Sequence, residues 1–247
     1  MFRLCTTFDS TQLRCGMAFE ANATLLSHLK SIYPSSSATN PWYIVSAVAF
    51  SASNEPQAVP EVFNYVLTEV SGEHEQRLLL ARKFRDALLK SGLTSGYSKA
   101  INSLAALHAV MPPELLDTKM LRDPSIPLQD YEQNGRAFFR ATYGNTADSV
   151  QTLLVYPDMG YFSNTIGYGY TYGFTDILSP LETSYVLVAS LIASDTPLQI
   201  NWHLDGARRN GATLEEVKAV RQIAIEAASA AGVKWKAGVP EVRESQD

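Results

Sequence analysis

The run Asn201-Trp202-His203-Leu204-Asp205-Gly206-Ala207-Arg208-Arg209 reads as a helix that places one imidazole between apolar faces. Imidazole has the side-chain pKa nearest neutrality, so it can pass a proton with little tuning. Gly206 and Ala207 stand one turn beyond His203, small enough for another helix to approach closely. Upstream, Gly167-Tyr168-Gly169-Tyr170-Thr171-Tyr172-Gly173 sets tyrosine hydroxyls among glycines, which admit a backbone or a ligand. Ser184 and Glu182 add a hydroxyl and a carboxylate on the helix before the histidine. Together these side chains could transfer a proton to or from a small organic molecule. Each also has a structural reading. His203 fits a core histidine satisfied by a backbone carbonyl, and the tyrosine-glycine segment fits a tightly packed helix at a subunit interface. Ser179-Pro180-Leu181-Glu182 has the form of a capping box, which is our reading of Glu182. Asp205 and Arg208 leave the helix in other directions and read as solvated faces or subunit contacts.

The segment from His203 to Gly211, followed by Thr213-Leu214-Glu215-Glu216-Val217, resembles the signature of the γ-carboxymuconolactone decarboxylase family, which shares its fold with the alkylhydroperoxidase-D proteins. Tyr143-Gly144 with Ala147-Asp148-Ser149-Val150, then Gly167 to Gly173, then Thr183 to Ala189, follow the order of that domain across roughly residues 131 to 233. The resemblance implies an all-α subunit of alkylhydroperoxidase-D-like fold. It also implies assembly into trimers or hexamers with the site near an interface, and a cofactor-independent decarboxylase acting on a small organic acid or lactone. His203 would be the general acid/base and proton donor, with Ser184, Tyr168, Tyr170, Tyr172 and Trp202 lining the substrate site. Two departures qualify this. The Cys-x-x-Cys pair of the peroxidase members is replaced by Thr196 and Gln199, which disfavours thiol peroxidase chemistry, and a Gly-Glu-x-x-Trp element is replaced by Gly169-Tyr170-Thr171-Tyr172. The alternative reading is therefore a degenerate member that binds or scaffolds, with a peroxide-detoxifying protein behind it.

The elements that must position these residues are helical throughout. Apolar periodicity predicts helices over residues 22–33, 42–53, 60–70, 73–91, 96–109, 128–143, 148–155, 160–172, 180–193, 197–210 and 214–231. Thr196-Pro197-Leu198-Gln199 reads as a capping box opening the histidine helix, and Gly211 as its left-handed stop. The Ser35-Ser36-Ser37 loop and the stretch from Met111 to Pro127 read as linkers, the second dividing the chain. We expect a leader over 1–20, an N-terminal helical half over 21–112, a decarboxylase-like half over 128–235 and a tail over 236–247. The halves suggest two degenerate helical repeats, the alternative being that any two helix-Gly-Thr-helix segments would align as well. Aligning Gly92 with Gly211 pairs Thr94 with Thr213 and sets Phe84 where the second half has His203.

Composition bounds the rest. The chain has 247 residues, 46% of them hydrophobic, which is enough for a sizeable core. A net charge of −5 with no Lys/Arg-rich run argues against nucleic-acid partners. The longest apolar run, Tyr185 to Ala193, is about half a membrane span. No metal site is expected: Glu73-His74-Glu75 suits a helix start, and His28 and His108 lack partners at ligand spacing. Cys5 and Cys15 show no pairing pattern, pointing to a reducing compartment. We expect a cytoplasmic protein, with a mitochondrial location as the alternative suggested by Arg3 and Arg14 in a Ser/Thr-rich start. The final Glu-Ser-Gln-Asp matches no retention or peroxisomal address. Asn22-Ala23-Thr24 reads as a chance glycosylation sequon.

Overall fold

The computed structural model describes residues 19–70 and 72–244, and the expected leader with Cys5 and Cys15 lies almost wholly outside them. Among the described residues the protein is all-α, with eleven α-helices, two short 3-10 turns, one π-helix and no strand. The helices are α1 (Ala23–Ile32), α2 (Trp42–Ala52), α3 (Ala58–Glu69), α4 (His74–Ser95), α5 (Tyr97–Val110), α6 (Leu128–Tyr143), α7 (Ala147–Thr152), α8 (Pro157–Phe162), α9 (Pro180–Ala193), α10 (Pro197–Arg209) and α11 (Leu214–Ala230), with the π-helix Ser163–Tyr172 between α8 and α9. No helix among the described residues is long and apolar enough to cross a membrane.

Two helices are apolar all round and form the centre, as such helices must. Nearly every residue of α2 and α9 is buried. They pack on each other, α2 also on α3, α4 and α11, and α9 also on α10, α11 and α4. Exchanging the triplet α2–α3–α4 for α9–α10–α11 leaves this pattern unchanged. The repeat therefore lies in a different register from the one the Gly92/Gly211 pairing gives. Ala52-Ser53-Asn54-Glu55-Pro56 after α2 matches Ala193-Ser194-Asp195-Thr196-Pro197 after α9, and Asn54 and Asp195 both adopt positive φ, at 65° and 53°. Six residues beyond each proline stand Val62 and His203, so the counterpart of the histidine is a buried valine and not Phe84.

The Gly92/Gly211 register fails because Gly92 is not a helix stop. Helix α4 continues through it and ends at Gly96, whose φ is 102°. A Cβ on Gly92 would lie 2.9 Å from the Tyr97 ring, so this glycine lets α5 fold back along α4. The capping box expected at Thr196 is also absent. Its hydroxyl instead donates to Leu191 O (3.2 Å), because the turn at Asp195 aims it back at the end of α9. The boxes at Ser179/Glu182 and Thr213/Glu216 are formed, and Gly211 takes the positive φ of 108° expected of a stop.

One cluster of buried side chains, including Val48, Phe63 and Leu88 with Val186, Leu204 and Val220, spans both halves. The stretch between them is anchored as well: Leu115 is fully buried, and Asp117 accepts from Arg82 and Arg85 of α4. Asn22 caps α1 by accepting from Leu25 N–H (3.0 Å), a structural use for the sequon asparagine. Asp205 and Arg208 also act within the chain, holding the tail: Asp205 pairs with Arg243 (3.3 Å), and Arg208 donates to the carbonyls of Arg243 and Glu244.

Candidate active site

Helix α10 carries His203 against α6, and glycine sets the distance. A Cβ on Gly206 would sit 3.0 Å from the Thr142 carbonyl oxygen, so the two helices touch at backbone level one turn from the histidine. Arg209 reinforces the junction by donating to Thr142 O (3.1 Å), a carbonyl that the end of α6 leaves open. This approach brings Tyr143, the last residue of α6, to His203, with Tyr143 Oη and His203 Nε2 3.2 Å apart.

The second partner comes from the π-helix. Its backbone lies directly on α6: a Cβ on Gly135 would fall 1.8 Å from Asn164 O, and one on Gly169 would fall 2.2 Å from Tyr131 O. Of the alternating glycines, Gly169 thus serves intrachain packing on α6, opposite Gly135 of that helix. In this register Tyr168 Oη donates to Tyr143 Oη (2.8 Å). Since Tyr143 accepts there, the assignment that gives its own proton a partner sends that proton to His203 Nε2 and leaves the ring proton on Nδ1. Among the described residues Nδ1 has no hydrogen-bond partner. The rings of Phe139, Tyr143, Tyr168 and Tyr172 close around this chain, with Trp202 edge-on to Tyr143 at 6.0 Å between centroids.

Burial governs the electrostatics. His203 is 4% exposed, and desolvation lowers its pKa from the ordinary imidazole value to about 4. Burial also pushes the Tyr143 and Tyr168 phenols above their usual range, so all three groups are neutral at pH 7. The site is a chain of uncharged hydroxyl and imidazole protons shielded from water.

Of the residues read from the sequence, His203, Tyr168, Tyr172 and Trp202 come together. Tyr170 and Ser184 do not join them. Tyr170 packs edge-on to Tyr131 beside Arg122, on another face of the π-helix. Ser184 Oγ donates to Pro180 O (3.0 Å) and accepts from Asn210 Nδ2 (2.8 Å), tying α9 to the end of α10. Tyr143 was missed as a site residue because its partners lie 60 and 25 positions away; its signal was an aromatic pair, Phe139 and Tyr143, one turn apart before a glycine.

A second polar group supports the site from behind. Asp86 and Lys90, one turn apart on α4, are buried with Arg122: Lys90 Nζ lies 3.1 Å from Asp86 Oδ2, and Arg122 Nη2 lies 2.7 Å from Oδ1. Their remaining protons go to the end of the π-helix and beyond, Arg122 to the carbonyls of Tyr170 and Thr171 and Lys90 to Phe174 O and Thr183 Oγ1. Cations there satisfy open carbonyls and suit the helix dipole. Burial still lowers the Lys90 pKa to about 8 despite the adjacent Asp86 carboxylate. Among the described residues no three His, Cys, Asp or Glu side chains gather at metal-binding distance.

Two yeast proteins resemble this chain along most of its length. Peroxisomal protein 2 of Saccharomyces cerevisiae is 31% identical over 88% of this chain and 97% of its own length, and peroxisomal protein 2 of Schizosaccharomyces pombe is 31% identical over 80% and 90%. The chain belongs to the peroxisomal protein 2 family. Neither a family model nor a solved structure matches it. For a member of the peroxisomal protein 2 family, the Tyr168–Tyr143–His203 chain is thus a candidate site placed on a helical framework of two triplets.

Proposed function

We propose that the protein is a cofactor-independent enzyme that decarboxylates a small organic acid or lactone, in the manner of the γ-carboxymuconolactone decarboxylases its sequence resembles. The observation that carries this reading is the buried Tyr168–Tyr143–His203 chain, with Nδ1–H of the imidazole left without a protein partner. A buried donor of this kind costs about 1–3 kcal/mol unless something meets it, and a ligand anion is a natural acceptor.

The chemistry follows from the charge states. An anionic substrate beside His203 raises the imidazole pKa, so Nε2 takes up a proton from solvent as substrate binds and the Tyr143 hydroxyl turns to accept from the new Nε2–H. The bond between the carboxylate carbon and its neighbour then breaks and CO2 leaves. The electron pair delocalises into the adjoining carbonyl or alkene, which a water-poor pocket favours over a localised carboxylate. The imidazolium gives its proton to the carbanionic carbon and returns to neutral, while Tyr143 and Tyr168 hold the ring in place. Because His203 is almost closed to solvent, substrate entry requires the surrounding aromatic rings to move.

Two further parts of the reading have their own support. The relatives' names place them in the peroxisome, and we propose the same compartment in preference to the cytoplasm or mitochondrion. The segment from α7 to the π-helix exposes Val155 and Tyr156 at 77% and 75%, with Leu153 and Met159 beside them, which supports a homo-oligomer that covers it. The near-closure of His203 favours, as a second reading, a family member that binds or scaffolds without turnover.

The deciding experiment is untargeted mass spectrometry of a peroxisome-rich metabolite extract incubated with wild-type protein or with folded His203→Gln. Loss of a parent ion and gain of its CO2-depleted product with wild type alone is the expected result. An unchanged extract moves the conclusion to the binding reading.

A further inference from the structure

Next to the aromatic cluster, α6, α7 and the start of the π-helix enclose a cleft of about 450 Å³. Phe139 belongs to both: it lines the cleft and packs on Tyr143 and Tyr168 with centroids 4.4 and 4.8 Å away. Three observations give the cleft a chemical character. Arg140 lines it and, among the described residues, makes no ion pair, whereas Arg136 one turn earlier is engaged by Glu132 (2.7 Å). Asp148 lines the same cleft without pairing with either arginine. Asn164, 1% exposed, borders it, and neither its amide nitrogen nor its oxygen has a partner among the described residues. Arg140 and Asp148 are exposed and free to turn to a ligand, and with the unsatisfied buried amide of Asn164 they offer one small space complementary charges and hydrogen-bonding groups.

We infer that this cleft binds a small carboxylate that also carries a hydrogen-bond donor, a hydroxy or amino acid, its carboxylate on Arg140 and its donor toward Asp148. The binding claim stands on the cleft alone, and only the statement that the bound acid is the substrate rests on the proposed decarboxylation. A carboxylate on the guanidinium gains a charge-assisted pairing with the one unengaged cation of the wall. The hydroxyl or ammonium then meets the carboxylate that would otherwise repel the ligand. The Asn164 amide stands at the border of the cleft, as both donor and acceptor, for whatever reaches it through a small adjustment of the π-helix start.

Three four-carbon diacids of one skeleton provide the test: succinate without a donor, L-malate with a hydroxyl and L-aspartate with an ammonium, titrated calorimetrically into the full chain, with inorganic phosphate as the oxyanion control. The expected result is saturable binding with Kd near or below about 1 mM for malate or aspartate. Succinate should be about fivefold weaker, the value of one hydrogen bond, and phosphate weaker still. Arg140→Gln should weaken the preferred acid about tenfold, and Asp148→Ala should bring it level with succinate. Absence of saturation by any of the diacids up to about 10 mM, or affinities unchanged in Arg140→Gln, overturns the inference. Arg140-dependent binding without His203-dependent turnover upholds the cleft and removes the decarboxylase reading. His203-dependent turnover that is indifferent to both cleft substitutions does the reverse.

Discussion

At the scale of single residues, His203 couples the fold to pH. Its pKa is about 4 in the folded protein and near 6.5 when the chain is unfolded. The unfolded state therefore binds the proton first as pH falls. Stability is fully present above pH 6.5, is lost progressively between 6.5 and about 4, and changes no further from this group below that. The loss is on the order of 3 kcal/mol. Denaturant unfolding of wild type and His203→Gln at pH 7, 5 and 4 isolates it: the wild type should lose stability relative to the variant by that amount, and parallel pH profiles would show that the imidazole is not held neutral by burial. The sequence pointed to His203 through its type and its setting beside Gly206 and Ala207. It could not reveal that the ring would be neutral, since that depends on Tyr143, Tyr168 and the aromatic rings that exclude water. Ser184 shows the converse: a hydroxyl one turn into α9 has local partners in Pro180 O and Asn210, and these take it away from the histidine.

At the scale of elements, the π-helix is the part least legible from sequence. Residues 160–172 read as one ordinary helix weakened by glycine, whereas α8 ends at Phe162 and the chain continues with wider turns. Its register is set by backbone contact with α6, which no periodicity encodes. The two glycine environments give opposite predictions. Gly135→Ala forces a Cβ against the Asn164 carbonyl and should destabilise by about 2 kcal/mol, displacing the π-helix. Gly92→Ala meets side chains and no backbone, the half-exposed Tyr97 ring at 2.9 Å and the buried Ala100 Cβ at 3.2 Å, and the gain in helix propensity of about 1 kcal/mol should offset most of this crowding. Thermal unfolding of the two variants compares them directly. The far end of the π-helix depends on Asp86, whose loss would leave Lys90 and Arg122 as neighbouring buried cations. Asp86→Asn should cost about 3–5 kcal/mol, and adding Lys90→Met should recover a large share. If the double variant is no more stable than the single one, the buried triad is not what holds this end. The sequence offered a clue in a charged pair one turn apart, Asp86 and Lys90, flanking the apolar Ala87-Leu88-Leu89, but its third member arrives from the segment between Met111 and Pro127 that reads as a linker.

At the scale of the whole molecule, a two-fold pattern was legible and its register was not. A helix–Gly–Thr–helix pattern is common enough to align by composition, and it drew Gly92 onto Gly211 although the first lies inside α4. The true correspondence runs through two turns, Ala-Ser-Asn-Glu-Pro and Ala-Ser-Asp-Thr-Pro, whose positive-φ residues follow the two central helices. In this register α2 and α9 are mutual partners, and each covers a helix of the other's triplet, α11 and α4. Neither half can bury its central helix alone, so the chain should unfold as one unit despite the sequence boundary near residues 111–127. The three tryptophans report on this: Trp42 begins α2, Trp202 lies in α10, and Trp235 donates to Ile192 O (2.7 Å) at the end of α9. With the other tryptophans replaced by phenylalanine, a Trp42-only protein and a Trp235-only protein should each show a single denaturant transition whose fluorescence coincides with its own far-ultraviolet circular dichroism. A fluorescence midpoint displaced from the dichroism midpoint in either protein would mean that one triplet persists without the other, and the shared core would then be an interface between two separable domains.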